Sequence, residues 1–181
     1  MCPTFNETKA TQAAGWVLER SGRRLEVMKL LRLLYLADRE AVLQWGRSIT
    51  TDCCVLMPHG PVLSQMAALI AQGDDPRTAP SLWHTAISRP REDAVELQSD
   101  LEFHQLSDGE RELLDGIVRR HGARSAWELL DLARQLPEWR DPCGSAIPLG
   151  VQDILAAHGR PTAPAPAADA DPEGVYLNFS W

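Results

Sequence analysis

Residues 25–45 read Leu-Glu-Val-Met-Lys-Leu-Leu-Arg-Leu-Leu-Tyr-Leu-Ala-Asp-Arg-Glu-Ala-Val-Leu-Gln-Trp, and this stretch decides the architecture. Val27, Leu30, Leu31, Leu34, Ala41, Val42 and Trp45 recur at the 3.6-residue helical period. Leu33, Leu36 and Leu43 widen the apolar stripe until little polar surface is left. A helix with so little polar surface is expected at the centre of a domain, with neighbours on more than one side, and Gly46 ends it.

Upstream, Asn6 or Thr8 can cap a helix running to Arg20, with Ala10, Ala13, Ala14 and Val17 as its buried stripe and Gly22 at its C-terminal cap. Downstream, residues 48–65 read as extended chain around a His59-Gly60-Pro61 turn. Pro61 suits the first turn of a helix over 62–72, stopped by Gly73-Asp74-Asp75-Pro76. Residues 81–100 predict a β-hairpin, with Trp83, Thr85 and Ile87 alternating on one arm, Val95 and Leu97 on the other, and a turn at 89–93. Ser107-x-x-Glu110 and Ser125-x-x-Glu128 are capping boxes opening two helices, to Arg120 and Gln135. A short helix is expected from Leu149 to His158. After Gly159 the Pro/Ala-rich run 160–174 reads as a spacer, and Val175, Leu177, Phe179 and Trp181 then alternate with polar residues at a period of two. The expected architecture is therefore α+β: mainly α with a small antiparallel β component, a central apolar helix ringed by shorter ones, and one hairpin. The expected organisation is a domain over 1–159 and an appendage over 160–181.

Composition narrows the function classes. The 181 residues carry 18 Lys and Arg against 25 Asp and Glu, a formal net charge of −7. That balance argues against a nucleic-acid-binding surface, which concentrates positive charge. No apolar run approaches the roughly 18 residues of a membrane span, and residues 1–12 lack the basic and apolar regions of a secretory leader. The four cysteines, at 2, 53, 54 and 143, form no Cys-x-x-Cys pair, so plain thiols in a reducing cytoplasm are expected.

Catalytic motifs are missing. The five histidines are scattered, and no His-Glu-x-x-His, Gly-x-Ser-x-Gly or phosphate-loop pattern occurs. Cys53 or Cys54 with His59 could form a thiol–imidazole pair, but no orienting third group is evident. Asp38-Arg39-Glu40 reads as a solvated or ion-paired face. No cofactor, metal or catalytic residue is assigned, which favours a binding module over an enzyme.

Three stretches carry a resemblance: Lys29-Leu-Leu-Arg-Leu-Leu-Tyr-Leu-Ala-Asp-Arg39, Gly46-Arg-Ser-Ile-Thr-Thr-Asp52 and Met57-Pro-His-Gly-Pro-Val-Leu-Ser64. A fourth, Leu136-Pro-Glu-Trp-Arg-Asp-Pro142, is followed by Ile147-Pro148 and Asp153-Ile-Leu155. In order and spacing they resemble the Panacea, or SocA-like, antitoxin domain over residues 10–159. Its usual pattern is K-L-x-K-L-L-Y-L-A-D, G-R-P-I-T-G-D, M-P-x-G-P-V-x-S and L-P-E-W. Arg32 departs from the pattern's second Lys, Ser48 and Thr51 from its Pro and Gly, and Arg134 from a common His.

The resemblance implies a cytoplasmic bacterial or phage antitoxin that binds a cognate protein toxin, with delivery to an ATP-dependent protease as a variant. A DNA-binding autorepressor and a thiol enzyme on Cys53, Cys54 and His59 are the alternatives. The residues weighed for bracing against partner contact are Tyr35, Asp38, Arg39, Asp52, His59, Gly60, Pro61 and Trp139. A buried Tyr35 hydroxyl needs a partner, expected from Asp38 or the Gly60-Pro61 turn. His59, at the turn tip, is the motif residue best placed to face a partner, and Trp139 reads as a cap over the core. In the appendage, Tyr176, Phe179 and Trp181 could add a strand to a partner or to the domain's own hairpin.

Overall fold

The computed structural model describes residues 4–72, 81–88 and 93–160. The chain order is α1 (Glu7–Arg20), β1 (Arg24–Glu26), α2 (Val27–Trp45), β2 (Cys54–Met57), β3 (Gly60–Leu63), α3 (Ser64–Gln72), α4 (Leu82–Ala86), β4 (Ile87–Ser88), β5 (Ala94–Leu97), α5 (Asp108–His121), α6 (Ala126–Arg134), β6 (Ile147–Leu149) and α7 (Val151–Ala157).

Helix α2 is the axis of the fold, packed by α1, α5, α6, α7 and β3. Leu30, Leu31, Leu33, Leu34, Tyr35 and Leu36 are buried in succession, so all sides of its middle turns are covered. Gly46 closes it in the left-handed conformation, its N–H donating to the Val42 carbonyl. Ala10, Ala13 and Ala14 are fully buried on α1, and their small side chains permit its close approach. Asn6 caps α1 by accepting from the Lys9 N–H. Both capping boxes form as expected, at Ser107–Glu110 and Ser125–Glu128.

Two small antiparallel sheets flank the helices, in the orders β1-β5-β4 and β3-β2-β6. The α+β class holds, but three local readings change. Pro61 does not open a helix; it sits in β3 opposite Leu56, on an edge strand where its missing N–H costs no ladder bond. The first hairpin arm is mostly helical: Ser81 accepts from the His84 N–H and caps α4, leaving only Ile87 and Ser88 to pair with β5. Leu25 and Glu26 belong to β1, so α2 begins two residues later than the apolar run. The expected helix stop at 73–76, the hairpin turn at 89–92 and the appendage lie outside the described residues, wholly or nearly so. Among the described residues, no helix is long and apolar enough to cross a membrane.

Candidate functional site

The polar residues of α2 are not solvated. Asp38 is buried and turns back to hold the loop that follows the helix, accepting from the Ile49 N–H (2.8 Å), the Thr50 N–H (2.9 Å) and the Thr50 hydroxyl. Burial pushes its carboxyl up to about 6, against the three donors that favour the charge. Asp52 repeats the device one element later. It accepts from the backbone N–H groups of Gln65 (3.0 Å) and Met66 (2.8 Å), capping α3 from a distant point in sequence. Burial raises its pKa too, with those amides opposing.

The Tyr35 partner is neither Asp38 nor the turn. Its hydroxyl donates to Glu138 Oε1 at 3.0 Å, and the same oxygen accepts from Arg39 Nε. Arg39 Nη2 also donates to His158 Nε2 (2.7 Å) and to Glu138 Oε2 (3.4 Å). Desolvation, reinforced by the Glu138 carboxylate, raises the Tyr35 pKa strongly, so the phenol stays neutral. Asp38 and Arg39, read as a solvated or ion-paired face, thus divide into a buried loop brace and a half-buried ion pair. Glu138, the centre of this cluster, is 4% exposed. It is not among the candidate residues read from the sequence, where its only signal is its position in Leu136-Pro137-Glu138-Trp139.

Tyr35, Asp38, Arg39 and Asp52 all reach one cavity of about 400 Å³, closed on the far side by Pro148, Leu149, Val151 and Ile154. Its walls are largely apolar, and its acids are already engaged as acceptors. Trp139 is half-buried and packs against the core beside this cluster.

The remaining motif residues gather elsewhere. His59 is exposed at the turn between β2 and β3, whereas Gly60 and Pro61 are buried behind it. Two guanidiniums hold this turn: Arg32 Nη2 donates to the His59 carbonyl (3.0 Å) and Arg134 Nη2 to the Pro58 carbonyl (2.6 Å). The two arginines that depart from the family pattern therefore clamp adjacent carbonyls of one turn. Gly60 has a φ of +103°, and a Cβ there would sit 2.7 Å from Leu130 Cδ1, so α6 packs directly on the turn. A pocket of about 290 Å³ opens beside it, lined by Arg32, His59 and Trp127 among others.

The thiol pairing fails on chemistry. Cys53 is disulfide-bonded, which corrects the expectation of plain thiols throughout. Burial pushes the Cys54 thiol well up, with Asp38 and Asp52 adding to the shift, the reverse of what a nucleophile needs. Cys54 also lies at the opposite end of β2 from the His59 turn. Tyr176, Phe179 and Trp181 lie outside the described residues.

The comparisons agree with the motifs. A family model described as antitoxin SocA-like, Panacea domain, matches residues 30–140. No curated protein and no solved structure gives a significant match.

Proposed function

This chain belongs to the SocA-like Panacea antitoxin family, and on that premise we propose that it neutralises a cognate protein toxin by binding it one-to-one in the cytoplasm, without catalytic turnover. The observation that carries the reading is the family match over residues 30–140, a span containing the Tyr35–Arg39–Glu138 cluster and the His59 turn. Occlusion needs a stably presented surface. The braces at Asp38, Asp52 and Glu138 would serve to fix that surface, and the exposed His59 turn is its foremost candidate. A standard interface takes about 800 Å² from each partner. The net charge of −7 would speed encounter with a basic toxin, an advantage that salt removes.

In this reading residues 1–159 form the toxin-binding domain and 160–181 an appended docking segment, which would also suit delivery of the toxin to an ATP-dependent protease. The direct test places the chain beside the product of its neighbouring gene in a bacterial host. Growth restored by co-expression, with a one-to-one complex on purification, is the expected result. A neighbour that is toxic alone and equally toxic with the chain present would refute the reading.

A further inference from the structure

The pocket beside the His59 turn combines three features that the brace network leaves unused. The first is Trp127. Its side chain is 73% exposed on the first turn of α6, whereas the other exposed large hydrophobic among the described residues, Trp45, is at 39%. The capping box of α6 is made by Ser125 and Glu128, so the indole has no part in starting the helix. Tryptophan and arginine are the residues most enriched at the energetic centres of protein interfaces.

The second feature is Arg32, 4% exposed. Its guanidinium donates only to neutral carbonyls, Nη1 to Ala126 (2.8 Å) and Nη2 to His59 (3.0 Å). Its buried Nε finds no acceptor among the described residues, nor does a carboxylate there ion-pair with it. Glu26 in the pocket wall offsets this charge through space without accepting from it, so the guanidinium keeps an unfilled Nε donor that an incoming carboxylate would occupy. The third feature is the local charge. Burial depresses the Arg32 pKa, Glu26, the one acid in the pocket wall, opposes that, and Arg134 lowers it by a smaller amount, so two cations face a single acid around the pocket. Met28 and Leu130 supply an apolar floor between these groups.

We propose that this pocket anchors the toxin, and that the anchor is an acidic side chain with an apolar neighbour: the carboxylate meets Arg32 and His59, and the apolar group covers Trp127, Met28 and Leu130. The inference rests on the antitoxin reading and deepens it. It is compatible with a toxin that is basic overall, because net charge governs encounter while a single buried contact fixes register.

The test uses the full chain and the purified product of the neighbouring gene, with affinity measured by calorimetry and folding followed by thermal melting. Trp127 is exposed, so Trp127→Ala, Trp127→Lys and Trp127→Glu are expected to melt with the wild type. Trp127→Ala should weaken binding about thirtyfold, as an anchor residue does. Trp127→Glu should weaken it at least tenfold more than Trp127→Lys, because only the former repels an acidic anchor. If the wild-type chain neither binds nor protects, the antitoxin reading falls and takes the inference with it. If the wild type protects and all three variants bind equally well, the pocket is not the docking surface although the antitoxin reading stands. If Lys weakens binding as much as Glu or more, the acidic anchor is wrong.

Discussion

Thr51 carries a β-branched side chain at a φ of +57°, in the left-handed region where such residues are strained. It stands at the turn position where the family pattern has glycine. Its hydroxyl accepts from the Asn6 N–H (2.8 Å), tying the start of α1 to the loop after α2. Relief of strain and loss of that bond act in opposite directions on replacement. Thr51→Asn keeps an acceptor and tolerates the conformation, so it should stabilise the protein by roughly 0.5–1 kcal/mol, with Thr51→Gly gaining less; urea unfolding orders the three. Asp38 makes a prediction in pH. Burial lifts its native pKa to about 6 from an unfolded value near 4. Between those values the native state holds the proton more tightly than the unfolded chain does, so stability falls as pH rises through the window and is lost no further above it. Asp38→Asn has no such proton. The stability advantage of the wild type over this variant should therefore shrink between pH 4 and 7, by up to about 3 kcal/mol. A constant difference across that range would contradict the assignment.

At the scale of elements, legibility followed how local each cause was. The capping boxes at Ser107–Glu110 and Ser125–Glu128 satisfy their own amides, so four residues of sequence carry the whole signal. The three-residue strands β1 and β6 have no such signal: Arg24–Glu26 is extended because Ala94–Glu96 lies beside it, and Ile147–Leu149 because Cys54–Leu56 does. At Trp83-x-Thr85-x-Ile87 the alternation misled, because Trp83, Ala86 and Ile87 are the residues buried and Ser81 caps a helical turn. The candidate site divides in the same way. The motif residues were visible one by one, but the meeting of Tyr35 with Glu138 crosses 103 positions, and no spacing rule reports it. The β2–β3 turn offers a test of element packing. Gly60→Ala should cost about 1–3 kcal/mol, since it meets both an unfavourable φ and the Leu130 methyl. In a Leu130→Ala background the steric part disappears and the φ part remains. The penalty for Gly60→Ala should therefore be about 1 kcal/mol smaller there, a coupling that a double-mutant cycle reads directly.

At the scale of the whole molecule, charge and chain division meet. The 22 residues after Gly159 carry Arg160 against Asp169, Asp171 and Glu173, leaving −5 of the −7 on residues 1–159. We expect a chain ending at Arg160 to melt with the full-length protein and to protect cells less well. Equal protection would remove the appended segment from the mechanism. The central position of α2 bears on synthesis as well as on stability. Its packing is finished by α7 and by the Glu138 carboxylate that receives Tyr35 and Arg39, all supplied more than 90 residues later. At about 5–20 residues per second, the ribosome exposes α2 for several seconds or longer before those partners emerge. A nascent chain therefore cannot complete the packing around α2 until residues 138–157 have emerged. The yield of folded protein, read by protease resistance, should fall more sharply on translation interrupted before residue 138 than the total mass of chain made would suggest.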